Sequence, residues 1–425
     1  MYGVFSGCRA LTSLDLHSWD VHGVTDMTSM FGSCTSLTTL NLRDWDARAV
    51  VSATNGMYHM FNGCSSLTNL NGLSGWQLSS GRMSGMFGGC TSLTNLDGIS
   101  GWDIGSVTLM EYMFKDCTAL ADVSGIQDWD TGSITDMRGL FEGCSSLVSV
   151  DLHKWDTHSV VTMSDLFRLQ ATAKRSLESV DLHGWDVSNA TTISGMFTCC
   201  SSLTSVDASG WTMGKVTLMV SIFAECTSLS DLSSLSDWDV STVTDMTSMF
   251  SGCSSLTSLA ALSDWEIGAA DMRSMFSGCT GLTNLNALSG WNTGSVTGMF
   301  CMFQNCTGLT DIAGIGGWDT GSVTNMGSMF YGCTALPTAD LHGWNTGSVT
   351  SLQGMFQGCT SLTGVNLNGW DTGNVTYFSS MFKGCAALQN AQLKSWDVSR
   401  ATGTSSPFGS MFDGCGSLSS LDLSG

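Results

Sequence analysis

The chain has 425 residues, 42% hydrophobic and 12% charged, with a formal net charge of −21 and only 15 basic side chains. That balance excludes nucleic acid and an anionic membrane surface as binding targets, since both attract a positive field. There is no apolar run of the roughly 18 residues that a membrane span needs, so none is expected.

In the first unit Leu11, Leu14 and Leu16 lead to Trp19 and Asp20, and the spacing of Leu14 and Leu16 predicts a short strand with one face inward. After a turn, residues 24–27 read as a second extended piece. Met27, Met30 and Phe31 have i, i+3, i+4 spacing, which predicts one helical turn. Ser33 and Cys34 then bend the chain into the next leucine step. This order recurs to the end: a phenylalanine lies three residues ahead of a cysteine from Phe5 to Phe412, and a tryptophan closes each unit from Trp19 to Trp396. Neighbouring tryptophans lie 26 or 27 residues apart, except for 31 between Trp45 and Trp76 and 30 between Trp155 and Trp185. Such a unit cannot bury its apolar side alone, and stacking does it. Residues 1–425 are therefore expected to form one continuous repeat array. Residues 1–9 already read as part of a repeat rather than a leader. Neither terminal unit has a distinct cap, from which further repeats or end-to-end stacking are expected.

Two unit lengths occur in blocks. Some units place tryptophan 11 residues after cysteine, as in Cys34 to Trp45; others place it 12 after, as in Cys253 to Trp265. The longer form occupies Cys64 to Cys117 and Cys226 to Cys306, and its extra residue is the count expected of a β-bulge. Insertions near 47–57, 168–175 and 399–409 keep the register on both sides and are expected to loop out of the stack. Arg168, Lys174 and Arg175 make the second insertion the one basic cluster of an acidic chain, either a binding loop or a tolerated surface insertion.

Most of the 17 cysteines occupy one column, including Cys34, Cys64, Cys90, Cys117, Cys144, Cys226, Cys253 and Cys279, while Cys199 and Cys301 fall off it. The column lacks the paired spacing of a zinc site and reads as small buried hydrophobes, with disulfides between adjacent coils as the alternative. Trp19, Trp45, Trp102 and Trp129 belong to the structural tryptophan column. The residue after tryptophan is usually acidic, as at Asp103, Asp130, Asp156 and Asp186. Stacked carboxylates repel, and two readings offset that: an Asx-turn onto the backbone, supported by Asn292 and Asn345 in the same column, or bridging calcium, the one cofactor the sequence suggests. A threonine column at the V-T step raises ice binding, though β-branched residues are simply good in strands. His17, His153, His183 and His342 lie two residues before a tryptophan. His153 and His183 fall in neighbouring units and could share a metal, but the sequence supplies no evident third ligand. No serine shows a persuasive His and Asp partner, so no enzyme is expected. Asn189 and Asn374 head glycosylation sequons.

The consensus of these columns resembles the 26-residue repeat of BspA-like leucine-rich-repeat surface proteins of bacteria and protists. The W-D-T-x-x-V-T and M-F-x-G-C blocks carry the likeness, and residues 340–367, DLHGWNTGSVTSLQGMFQGCTSLTGVNL, match it almost throughout. Lys174 in the cysteine column and Thr212 after Trp211 depart from it. The resemblance implies a leucine-rich-repeat-like solenoid with a parallel sheet face, and an extracellular or cell-surface role in adhesion or interaction, with no catalytic residues. The expected fold is a right-handed solenoid of about sixteen coils with a parallel β-sheet face and short helical turns. The expected partner is a protein or glycan at a cell surface. Copies of the chain itself, stacked into a surface filament or sheath, are the alternative.

Overall fold

The computed structural model describes residues 1–50, 56–78, 81–171, 176–402 and 406–424. It divides into two compact units, Met1–Val216 and Thr217–Gly425, each a parallel solenoid made from the same coil. In the first unit the leucine step forms strands β1 (Ser13–Asp15) and β2 (Thr39–Asn41), with Leu14 opposite Leu40. The next coils carry single 3-10 turns instead: η1 (Asn71–Leu73), η2 (Asp97–Ile99) and η3 (Ser124–Ile126). Beside them, on the V-T step, β3 (Gly81–Arg82) pairs with β4 (Val107–Leu109). Strands return to the leucine step as β5 (Ser149–Asp151), β6 (Ser179–Asp181) and β7 (Ser205–Asp207), with Val150, Val180 and Val206 in register.

The second unit repeats the theme. Four 3-10 turns, η4 (Ser233–Leu235), η5 (Ala260–Leu262), η6 (Asn286–Leu288) and η7 (Ala313–Ile315), precede a four-stranded parallel sheet. Its strands are β8 (Thr338–Asp340), β9 (Gly364–Asn366), β10 (Asn390–Gln392) and β11 (Ser420–Asp422), in sequence order. Single-residue parallel bridges on the V-T step run from Leu218 through Asp245, Asp271, Gly298, Asn325 and Ser351 to Tyr377. Among the described residues no helix is long and apolar enough to cross a membrane.

Two sequence expectations are corrected by this geometry. The extra residue of the longer coils is not a bulge: each coil with the longer spacing carries a 3-10 turn where the shorter ones carry a strand. In a strand coil the buried residues are Leu147, Val150 and Leu152; in a longer coil they are Leu67, Leu70 and Leu73. A repeat of three is the period of a 3-10 helix, so one added residue moves the inward side chains from strand phase to helical phase.

The M-x-x-M-F segment is not helical either. Met30 N–H donates to Met27 O and Cys34 N–H to Phe31 O, closing two tight turns with left-handed residues Ser29 (φ 52°) and Ser33 (φ 60°). The N–H groups of Met27, Ser29, Phe31 and Ser33 donate to Gly56, Tyr58, Met60 and Asn62 in the next coil, at 2.7–3.0 Å. A helix would turn all these donors back on its own carbonyls; here alternate donors run along the stack and hold coil to coil. The second left-handed position explains the glycine before cysteine, as at Gly143 (φ 77°). Cys199 (φ 65°) occupies that same position and Cys301 (φ 58°) the earlier one, which places both off the cysteine column.

The interior consists of side-chain columns. Stacked phenylalanines lie 5.2 to 5.7 Å apart in the first unit, from the Phe31–Phe61 pair to the Phe87–Phe114 pair. Tryptophans stack likewise, and each indole N–H reaches a backbone carbonyl of the preceding coil, as from Trp45 to Leu16 O at 3.0 Å and from Trp102 to Leu73 O at 3.0 Å. Trp129 donates to Ile99 O in the same way, whereas Trp19 in the first coil is 40% exposed.

All 17 cysteines are free thiols, and all are buried except exposed Cys8 and half-buried Cys415. Buried column thiols donate to the phenylalanine carbonyl one coil back, as from Cys64 to Phe31 O at 3.2 Å, Cys144 to Phe114 O at 3.1 Å and Cys279 to Phe250 O at 3.1 Å. That carbonyl already accepts the amide of its own turn, so the thiol fills its second lone pair. Burial pushes the Cys64 and Cys333 thiols up to about 12.

Candidate functional site

Some coils depart from this regular frame. In the first unit they lie on the M-x-x-M-F face, immediately after the insertion near 47–57. Most coils carry serine, threonine or glycine at the two variable positions there; these coils carry Tyr58, His59, Glu111, Tyr112 and Arg138. His59 (φ 55°) and Tyr112 (φ 59°) are left-handed, and the equivalent residues of the following coils are Gly85 (φ 60°) and Gly139 (φ 57°). A Cβ on Gly85 would lie 2.2 Å from the His59 ring, and one on Gly139 would lie 2.4 Å from the Tyr112 ring. Each ring thus folds down onto the glycine of the next coil, and the glycines are what let it.

Charges interleave with these rings. The Arg82 guanidinium sits 4.6 Å over the Tyr58 ring, donates to Ser84 Oγ at 2.8 Å and pairs with Glu111 Oε1 at 2.6 Å. Lys115 lies 5.0 Å over Tyr112 and pairs with Glu142 at 3.1 Å; Arg138 lies 5.6 Å over the same ring and pairs with Asp136 at 3.1 Å. Glu111 is only 6% exposed, and among the described residues its Oε2 and the Arg138 Nε have no hydrogen-bond partner. Burial raises the Asp136 carboxyl, against the opposing pull of Arg138, and burial lowers the His59 imidazole. A groove of about 350 Å³ runs alongside, lined by His59, Asn62, Gly88, Tyr112 and Lys115 among others. Sequence reading missed this patch. The signal was there as two tyrosines, a histidine, a glutamate and an arginine at positions elsewhere filled mostly by small polar residues, but a pattern of columns hides what breaks it.

The residues singled out in the sequence fall as follows. Asp103, Asp130, Asp156 and Asp186 each accept the amide two residues on, at 3.2, 3.3, 3.2 and 2.9 Å, and Asn292 and Asn345 do the same. The column therefore makes Asx-turns. Beside it lies a buried threonine column, in which Thr131 Oγ1 donates to Asp156 O at 2.9 Å and Thr157 Oγ1 to Asp186 O at 2.9 Å. V-T hydroxyls donate along the stack as well, Thr135 to Thr108 O and Thr350 to Thr324 O. Asn189 and Asn374 are exposed, with their amides bonded to His158 O and Gly347 O. Arg168 pairs with Asp165 at 3.3 Å, while Lys174 and Arg175 lie outside the described residues, as do 51–55 and 403–405 of the other insertions.

Ser159 Oγ lies 3.0 Å from His158 Nε2, and His158 Nδ1 lies 2.7 Å from Asp156 Oδ1, a Ser-His-Asp relay that the sequence reading did not find. The three sit on one exposed turn, with both the histidine and the aspartate more than half exposed, so nothing there excludes water or shapes a substrate site. His153 and His183 stack at 4.7 Å in the turns that follow β5 and β6, and the structure adds Asp181 to them.

The family model described as "Mycoplasma protein of unknown function, DUF285" matches residues 1–123, 55–168, 119–233, 219–314 and 306–420. A search of curated proteins gives no match. Among solved structures, a leucine-rich repeat protein from Bacteroides ovatus is 18% identical over 97% of this chain and 85% of its own, with a TM-score of 0.46. A leucine rich cell surface protein from Faecalibacterium prausnitzii is 16% identical over 84% of this chain and 79% of its own, with a TM-score of 0.33.

Proposed function

The chain belongs to the DUF285 family, and we propose that it is a non-enzymatic cell-surface repeat protein that binds another protein through the patch from Tyr58 to Arg138. One observation carries this reading: between Tyr58 and Arg138 several aromatic and charged side chains that break the repeat are gathered on one face of successive coils. Tyrosine and arginine are the residue types that dominate protein recognition, offering large contact area together with hydrogen bonding. The pairing of Arg82, Arg138 and Lys115 with Glu111, Asp136 and Glu142 leaves a mixed-sign surface that suits a protein more than a polyanion. The backbone ladder between coils fixes the patch before any partner arrives, which lowers the ordering cost of binding.

The test is adhesion of beads coated with the full chain to cell monolayers and to immobilised matrix proteins. Beads should attach above an albumin control, and Tyr112→Ala with Arg138→Ala should lower attachment at least about fivefold, the size expected when interface anchors are removed. A distant change, Arg273→Ala, should leave it unaltered. Attachment no better than albumin, or equal attachment by the double variant, would refute the proposal.

A further inference from the structure

The motif Asp-x-His on the leucine step occurs at Asp15–His17, Asp151–His153, Asp181–His183 and Asp340–His342. Only the middle two fall in adjacent coils. The coil after His17 offers Arg43, and the coil after His342 offers Asn368. Strands β5 and β6 are parallel and in register, with Asp151 opposite Asp181, so the residues two further on must also meet. They do: the two imidazoles stack at 4.7 Å and 11°. Asp151 Oδ1 lies 2.5 Å from His153 Nδ1 and Asp181 Oδ1 lies 2.7 Å from His183 Nδ1, so each ring is oriented by its own carboxylate. One ligand atom each from His153, Asp181 and His183 lies within 4.8 Å of the others, the one such group of three among the described residues. Asp207 follows Asp181 in register on β7. The row therefore concentrates negative charge around two imidazoles.

We propose that His153, His183 and Asp181 bind one divalent transition-metal ion, of the zinc, nickel or copper class. Two imidazoles and a carboxylate are the donor set of such ions, whereas calcium and magnesium prefer oxygen alone. Binding requires these side chains to rotate until the ligand atoms, now within 4.8 Å of one another, reach the closer spacing of a tetrahedral ion, with Asp181 exchanging its hydrogen bond to His183 for the metal and water completing the coordination. The Asp151–His153 hydrogen bond supplies the carboxylate behind a ligating imidazole that commonly supports such sites. The ion clips β5 to β6 across the coil that holds the insertion near 168–175, the longer spacing between Trp155 and Trp185.

The test titrates zinc(II) into the full chain carrying Cys8→Ser, which removes the one fully exposed thiol. One equivalent should bind, and imidazole NMR signals of His153 and His183 should shift together. His153→Ala, His183→Ala and Asp181→Asn should each weaken binding by about tenfold or more. His342→Ala removes an unpaired copy of the same motif and should leave binding unchanged, with circular dichroism confirming that each variant folds. Absence of zinc binding, binding insensitive to His153→Ala and His183→Ala, or zinc-induced shifts confined to other histidines would each overturn the proposal. So would equal loss in His342→Ala.

Discussion

Within the first unit the coils of η1 to η3 and those of β5 to β7 share the same phenylalanine and tryptophan columns, yet bond differently at the leucine step. In the strand coils the backbone reaches outward: Leu152 N–H donates to Asp181 O at 3.0 Å and Leu182 N–H to Asp207 O at 2.8 Å. In the 3-10 coils it closes on itself, with Leu73 N–H to Leu70 O at 2.9 Å and Ile99 N–H to Leu96 O at 3.1 Å. The second unit shows the same contrast between η4–η7 and β8–β11. One residue between cysteine and tryptophan decides which. The stack tolerates the change because cohesion at this step is redundant: the M-x-x-M-F ladder and the aromatic columns run through both kinds of coil.

The most drastic way to break the contrast is to delete Gly98. The remaining sequence, with Leu93, Leu96, Ile99 and Trp102, acquires the spacing of a strand coil. The altered coil should adopt extended backbone at this step, and a crystal structure or amide exchange there checks it. A retained 3-10 turn would show that neighbouring coils, not spacing, set the choice.

Next in size, Phe167→Ala in the strand block and Phe276→Ala in the 3-10 block should each cost about 3–5 kcal/mol, since both rings are buried in equivalent stacks. Denaturant titration that gives sharply unequal losses would mean the two kinds of coil do not share one core.

Gly72→Ala strikes the junction itself. Its Cβ would fall 1.6 Å from Leu40 O, where the first 3-10 coil packs on strand β2, so the coils must part. The expected loss is about 1–3 kcal/mol. Gly101, whose Cβ would meet nothing within 4 Å, is the control for substitution by alanine.

Thiol chemistry should not distinguish the blocks. Burial pushes both Cys144 and Cys279 well up, and alkylation of native protein near pH 8 should label Cys8 while leaving both untouched, as read by mass spectrometry.

The smallest effect concerns Asp46, which the Arg48 side chain holds down to about 2. A depressed carboxyl stabilises the fold above its unfolded value of about 3.9, and loses that contribution as pH falls toward 2. Asp46→Asn should leave melting near neutrality almost unchanged and flatten the acid limb between those values. Asp46 is at the surface, so solvent screens the pair and keeps the effect small.

The sequence by itself determined the coil. Phenylalanine, cysteine and tryptophan recur at fixed phase because each must stack on its counterpart in the next coil, and a period so strict admits no other architecture. It even contained the strand-to-turn switch, since Leu67, Leu70 and Leu73 repeat by three where Leu147, Val150 and Leu152 do not; the count of residues was legible while its phase went unread. Periodicity alone could not separate a helical turn at Met27, Met30 and Phe31 from two left-handed turns. Both present the same side chains inward and differ only in whether alternate N–H groups find acceptors in a neighbouring coil. Tertiary structure decided that. It likewise decided that the cysteine thiols bond to phenylalanine carbonyls, that His59 and Tyr112 lie on glycines one coil away, and that Asp181 joins His153 and His183. Each brings together residues of different coils 26 to 33 positions apart, as Cys34 with Phe5, Cys64 with Phe31, His59 with Gly85 or Asp181 with His153. Register between coils creates these contacts, and that register is fixed by the backbone ladder once the coils have stacked.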